Sequence, residues 1–405
     1  MFRRVPITTV ALGAIVLAGC SEPVSVSRAP LQADATKSVE TSAVRENTTV
    51  QWNAIARAQT LTHAITQQAG VRMFAYLSLA QANAAAAADD GVSVSAAIAG
   101  ASAAVLASFF PDQVAYFDAQ VGQAPDDDES FAAGVARGRS VGADVLARAA
   151  TDGFTSSTAG VVIPVCPGCW VSAPGVAPLF PRLGEMRPFF LSSASQFRPG
   201  APPAFGSADY LAALAEVRHF SDTRTHEQDS IAKFWAKPGG FAVVQSYANQ
   251  VASDEITKFG LKERKAARVL ALMNMVAMDA FITSHDAKYT YWLIRPSQAD
   301  PGIVLDIGLP NHPSYPSNHA SVTGASMAVL AHFFHRDAAY LNGLAEQAGI
   351  SRIYGGIHYR FDMDAGLALG RRAAALALAA DLDLVAAGTK YVTPDRRHHN
   401  RDERR

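Results

Sequence analysis

A run of apolar residues from Val269 to Ile282, broken only by Asn274 and Asp279, narrows what this chain can fold into. It lies within a helical stretch from Lys258 to Lys288. A helix apolar on every face must be surrounded by other protein or by lipid. An amide and a carboxylate in mid-run are costly in hydrocarbon, so the stretch reads as the buried core helix of a bundle rather than a membrane span. The chain has 405 residues, 49% of them hydrophobic, enough for one large core or two packed ones.

The neighbouring sequence is also helical in period. Ile55, Ala58, Leu61, Ile65, Met73, Phe74 and Leu77 fall at three- and four-residue steps in a helical region from Val50 to Ala88. Further helices are predicted over Val92–Phe110, Ser130–Thr151, Ser207–His219, Thr225–Ala236, His319–Phe334, Arg336–Ala348 and Asp362–Ala387. Residues 155–207 break the pattern. Pro164, Pro167, Pro174, Pro178, Pro181, Pro188, Pro199, Pro202 and Pro203 are mixed there with Trp170, Phe180, Phe189, Phe190 and Phe197. That composition predicts an irregular but ordered excursion, too aromatic for a linker.

The first twenty residues read as a leader. Arg3 and Arg4 precede an apolar stretch, Val10–Leu17, and Leu17-Ala18-Gly19-Cys20 resembles a bacterial lipoprotein cleavage site with Cys20 as the lipidated residue. Ser21 after it suits outer-membrane sorting, so the expectation is an exported, periplasm-facing lipoprotein held to a membrane by its lipid alone. Residues 21–46 then form a polar tether, 47–390 the helical domain with its motif core at 258–388, and 391–405 a charged tail. Cys166-Pro-Gly-Cys169 fits a small disulfide loop in an exported chain; a redox dithiol lacks the expected βαβ setting, and a zinc site lacks a second cysteine pair. A formal net charge of −1 gives no reason to expect a nucleic-acid partner.

Three short segments carry the chemistry. The first runs from Lys288 to Arg295-Pro296. Seven residues on one helix would set the two cations on one face about 10 Å apart, with Pro296 ending the helix. A solvated basic face is the plain alternative, but Tyr289, Tyr291, Trp292, Leu293 and Ile294 argue against full solvation. The second is His312-Pro-Ser-Tyr-Pro-Ser317-Asn318-His319. Ser317 stands where a helix N-cap belongs, so its hydroxyl and the amide of Ser317 or Asn318 can meet an anion with His319 in the first turn. The third is Ser351-Arg352 through Gly355-Gly356 to His358 and Asp362, the last two four apart and facing one another if helical. A carboxylate there can fix the imidazole tautomer. Together these side chains are the inventory of a site surrounding a tetrahedral oxyanion: three cations, hydroxyl and amide donors, and two imidazoles.

Lys-x6-Arg-Pro, Pro-Ser-x-His and Ser-Arg-x5-His-x3-Asp resemble the three-part signature of the phosphatidic-acid phosphatase type 2 superfamily, which joins acid phosphatases, lipid phosphatases and vanadium-dependent haloperoxidases. Gln196-Phe197-Arg198-Pro199, Arg224-Thr225-His226-Glu227-Gln228 and Asp279 look like the haloperoxidase branch, so the resemblance covers roughly residues 165–375. It implies an all-α bundle of the haloperoxidase and acid phosphatase type. It also implies that Lys288, Arg295, Ser317, Asn318 and Arg352 bind the anion's oxygens, His319 moves protons, and His358 meets the central atom with Asp362 orienting it. For a haloperoxidase the cofactor is vanadate, His358 is its ligand, and hydrogen peroxide and a halide are the substrates. For a phosphatase the centre is a phosphoester, no cofactor is needed, and His358 is the nucleophile. Glu227 matches an acidic position that contacts the site's arginine. Two departures bear on specificity. Asn318 stands where the family often has glycine. His285 and His312 stand at halide-site positions, and His312 resembles the bromo- and iodoperoxidase pattern rather than that of chloroperoxidases. The expectation is therefore bromide or iodide oxidation, with a periplasmic phosphomonoesterase as the alternative and a non-catalytic anion-binding lipoprotein as a third class. Nothing in the sequence indicates the oligomeric state.

Overall fold

The structure is a computed structural model that describes residues 47–89, 91–122, 129–241 and 243–386. The leader, the tether and the tail beyond residue 390 lie outside the described residues. Thirteen α-helices form among the described residues, and the one strand-like contact is an isolated antiparallel bridge between Cys169 and Leu293. In chain order they are α1 Thr48–Thr62, α2 Gln67–Ala87, α3 Val94–Phe109, α4 Val114–Val121, α5 Glu129–Ala149, α6 Ala208–Thr223, α7 His226–Ala236, α8 Val244–Lys258, α9 Glu263–Tyr291, α10 Pro296–Ala299, α11 Asn318–Phe333, α12 Ala338–Tyr354 and α13 Arg360–Ala386.

The apolar run sits at the centre, as its composition requires. Helix α9 is long and apolar enough to span a membrane, yet its most apolar window is 94% buried within the protein. It packs against α2, α11 and α13. Both polar interruptions have partners. Asn274 accepts from Gln245 Nε2 at 2.7 Å and Asn249 Nδ2 at 2.8 Å, both on α8. Asp279 accepts the backbone N–H groups of Phe189, Phe190 and Leu191 at 2.7, 2.7 and 3.1 Å. Burial raises its pKa to about 6, and the three amide donors oppose that shift.

Helices α4, α8 and α10 lie outside the predicted set, and one predicted region divides. The region from Val50 to Ala88 is two helices, because Ala64 takes a left-handed φ of 44° between them. Helix α8 is absent from the periodicity reading because polar residues interrupt its buried face: Gln245, Ser246, Asn249 and Ser253 lie in the core among Ala248, Val251, Ala252 and Ile256. They bond to Asn274, Arg57, Thr60 and Ser326, so amide and hydroxyl pairing accompanies apolar burial there.

The excursion wraps the C-terminal half of α9. Besides Asp279, it is held by Arg198 on Asp286 and by Tyr289 Oη donating to Leu179 O at 2.7 Å. Tyr291 Oη donates to Pro199 O and Tyr315 Oη to Gly200 O, both at 2.8 Å. Cys166 and Cys169 form the disulfide, and its loop pairs with the chain leaving α9: Trp170 N–H donates to Trp292 O at 2.6 Å and Ile294 N–H to Gly168 O at 2.9 Å. Against α11, helix α13 comes very close. A Cβ on Gly366 would lie 2.7 Å from the carbonyl oxygen of Ser317, so only glycine fits that crossing.

Candidate active site

Lys288 is fully buried on the last turn of α9. Its ammonium donates to Pro313 O at 3.1 Å, Ser314 O at 2.7 Å and Pro316 O. All three protons therefore tie down the loop that leads to Ser317. Burial, then the charge of Arg295, pushes its pKa well below the ordinary lysine value, and Asp362 opposes them.

Lys288 and Arg295 do not share a helix, contrary to the expectation from their spacing. Helix α9 ends at Tyr291, where Trp292 adopts φ 53° and its N–H returns to Lys288 O. Pro296 starts α10 rather than ending α9, because its fixed φ and missing N–H suit a first helical position. Arg295 precedes it, wholly buried. Its Nε donates to His312 O at 3.0 Å, Nη1 to Ile357 O at 2.7 Å and His358 Nε2 at 3.1 Å, and Nη2 to His312 Nδ1 at 2.9 Å. Burial lowers its pKa to about 10, so it remains charged.

Ser317 is the N-cap of α11, its hydroxyl accepting from Ala320 N–H. Its own amide donates to Asp362 O at 2.9 Å, which leaves the Asn318 amide, at the first helical position, as the free donor. The Asn318 side chain is engaged too: Ser284 Oγ donates to its Oδ1 at 2.6 Å, and its Nδ2 is 3.5 Å from His312 Nε2. His319 follows in the same first turn, partly exposed, with Nε2 on Trp235 O at 3.0 Å. That bond puts the proton on Nε2 and leaves Nδ1 as the basic atom. Burial of the ring's packed side and the positive charge of Arg352 lower its pKa to about 3.

Arg352 lies on the last turn of α12, four residues beyond the predicted end of that helix region, and is 3% exposed. Nε donates to Ser351 Oγ and Nη2 to Ala232 O, both at 2.9 Å. No carboxylate pairs with it among the described residues, and burial alone lowers its pKa to about 9. Glu227 does not supply the expected contact: it is exposed on the first turn of α7, and α7 reaches Arg352 through the Ala232 carbonyl instead.

His358 and Asp362 meet, though not across a helix face. Gly356 takes φ 81° and turns the chain so that His358 precedes α13 while Asp362 sits in its first turn. His358 Nδ1 is 2.7 Å from Asp362 Oδ2. The same oxygen accepts Ser314 Oγ at 2.5 Å and Tyr359 N–H at 3.1 Å, and Oδ1 has no partner. Burial raises the Asp362 pKa to about 6, with the Ser314 bond the foremost opposing influence. His358 is driven well below the usual histidine range by burial, then by Arg295, Lys288, His312 and His319. Those mutual influences tie Lys288, Arg295, His319, Arg352, His358 and Asp362 into one electrostatic cluster.

His285 and His312 lie beside the cluster with ring centroids 5.8 Å apart. His285 is fully buried, its Nδ1 on Phe281 O at 3.1 Å, and its Nε2 has no partner. Burial and then Lys288 lower its pKa to about 3. The site thus holds three buried cations, of which Lys288 and Arg295 face the one carboxylate, Asp362, and Arg352 faces none among the described residues, which leaves an uncompensated positive charge in a desolvated space. Ser314, Ser284 and the carbonyls of Trp235 and Ala232 were not legible as participants, since nothing in a Pro-Ser-Tyr-Pro run says where its serine is aimed.

Residues 268–384 match the family model described as PAP2 superfamily. That match takes in the segment that carries all three motifs. The particular relatives in fold are bacterial vanadium-dependent haloperoxidases. A crystal structure of a bacterial vanadium-dependent iodoperoxidase superposes with a TM-score of 0.72 at 23% identity, covering 81% of this chain and 95% of that one. A holo-type bacterial vanadium-dependent chloroperoxidase gives 0.63 at 13% identity, over 80% of this chain and 93% of the other. No curated protein matches the sequence.

Proposed function

We propose that this protein is a vanadate-dependent haloperoxidase-like enzyme that oxidises bromide or iodide with hydrogen peroxide. One observation carries the reading: of three buried cations, Lys288 and Arg295 share the carboxylate of Asp362, which is committed to His358, and Arg352 has no carboxylate partner among the described residues. Such a site is costly without an anion of multiple charge. At about 4 Å and an effective dielectric near 20, each full charge pair is of order 4 kcal/mol.

The residues suit vanadate. Arg352 Nη1 has no protein partner among the described residues, the Asn318 amide is free at the start of α11, and His358 presents Nε2 beside Arg295. Bound there, vanadate would activate peroxide toward halide without a change of its own oxidation state. Arg295 and Arg352 would hold the anion's oxygens, and Lys288 supplies charge while bracing residues 313–316. His319 Nδ1 would accept a proton from incoming peroxide and return it. Asp362 keeps His358 protonated on Nδ1, so the lone pair is on Nε2, where it accepts from Arg295 Nη1 at 3.1 Å and would turn to the central atom once Arg295 holds the anion. His285 and His312, neutral and adjacent, would line the halide's approach.

A second reading, periplasmic phosphomonoesterase, is favoured by the same Asp362–His358 bond, which would equally prepare Nε2 as a nucleophile toward phosphorus. Assays on one preparation separate them: halide oxidation by peroxide after orthovanadate loading, and para-nitrophenyl phosphate turnover without it. The Leu-Ala-Gly-Cys20 leader supports export and lipid anchoring of either enzyme, and Cys20→Ser would release it from the membrane fraction.

A further inference from the structure

Ser314 occupies a singular place in the site. It is fully buried, and from the second motif segment its three polar groups reach both of the others, the first through Leu293 and Lys288 and the third through Asp362. Its N–H donates to Leu293 O at 2.9 Å, bracing the stretch that delivers Arg295. Its carbonyl accepts from Lys288 Nζ at 2.7 Å. Its hydroxyl donates to Asp362 Oδ2 at 2.5 Å and lies 3.5 Å from His358 Nδ1.

The hydroxyl bond is the informative one. Asp362 receives Ser314 Oγ, His358 Nδ1 and Tyr359 N–H all on Oδ2, while Oδ1 is buried without a partner. A carboxylate with three donors on one oxygen is fixed against rotation about its terminal torsion, which is otherwise broad and two-fold. Without the serine donor, the carboxylate gains reason to turn toward a better-shared arrangement, and His358 loses its fixed acceptor. We propose that Ser314 is a positioning residue: its hydroxyl locks the Asp362 carboxylate, so that His358 keeps its proton on Nδ1 and its Nε2 lone pair for the central atom of the bound anion. The inference rests on reading His358 as the residue that meets that atom.

The test reads His358 directly. In the full chain labelled with 15N-histidine, two-bond 1H–15N spectra report the tautomer, with the His358 signals assigned by their loss in His358→Gln. The native protein shows a single Nδ1–H form. Ser314→Ala shows a mixture of tautomers and binds orthovanadate roughly tenfold more weakly by calorimetry, the cost expected for losing a hydrogen bond to a charged group. Ser314→Thr, which keeps the hydroxyl, restores both. A change in packing alone would not be rescued in this way. Should the alanine variant fail to fold, Ser314→Cys, close in shape but a weaker donor, shows the same tautomer mixing. A folded Ala or Cys variant with the native tautomer and native anion affinity overturns the proposal. If the native protein binds neither orthovanadate nor phosphate, the anion-site reading fails, while the tautomer still decides the role of Ser314.

Discussion

His319 presents Nδ1 as its basic atom because Trp235 O holds Nε2 at 3.0 Å. Its substitution by alanine removes the group that moves protons and no core volume, since the ring is partly exposed. His319→Ala is therefore expected to abolish turnover while circular dichroism and Tm stay near native. Native turnover in that variant would contradict either enzymatic reading. His285 makes a different prediction, about pH. Its folded pKa is depressed to about 3 against an ordinary value of 6.5, so it contributes stability above pH 6.5 that is lost as the pH falls toward 3. Asp279 and Asp362, raised to about 6, act in the opposite sense: they cost stability above pH 6 and release that cost as they protonate below it. His285→Phe removes one buried imidazole and its unpartnered Nε2. The variant's Tm should fall less than the native Tm between pH 7 and pH 4.5. Parallel melting curves across that range would show that His285 does not titrate as described.

At the scale of elements, the crossing of α11 and α13 decides where Ser317 stands. Gly366→Ala would place a methyl 2.7 Å from Ser317 O, and the contact is backbone, so the helices must part. Overpacking of this kind costs about 1–3 kcal/mol. The expected result is a lower urea midpoint together with weaker orthovanadate binding, because the N-cap and the Asn318 amide move with α11. The excursion depends likewise on Asp279. Asp279→Asn replaces a charged acceptor of three amides by one neutral oxygen and a donor, a loss of about 1–3 kcal/mol. Limited proteolysis should then cut near residues 187–192 faster than in the native protein; unchanged cutting would place the anchor of that segment elsewhere.

For the molecule as a whole, the apolar run in α9 and the three motifs were legible because they are local: periodicity marks the core helix, and fixed spacings mark the cations and imidazoles. What joins them was not. The chain breaks at Trp292 and resumes at Pro296 because the Cys166–Cys169 loop pairs with residues 292–294, a contact across more than a hundred residues. Helix α8 escaped notice because amides and hydroxyls interrupt the apolar residues of its core face. Ser314 escaped because its role lies in the aim of a hydroxyl. Glu227 misled because α7 meets Arg352 through a carbonyl, which every residue type carries. That the uncompensated buried charge serves vanadate is tested by loading purified protein with orthovanadate and following bromide and iodide oxidation by hydrogen peroxide. Oxidation that requires vanadate and is suppressed by competing phosphate is the predicted result. Phosphoester hydrolysis without vanadate, and no halide oxidation with it, would contradict the claim.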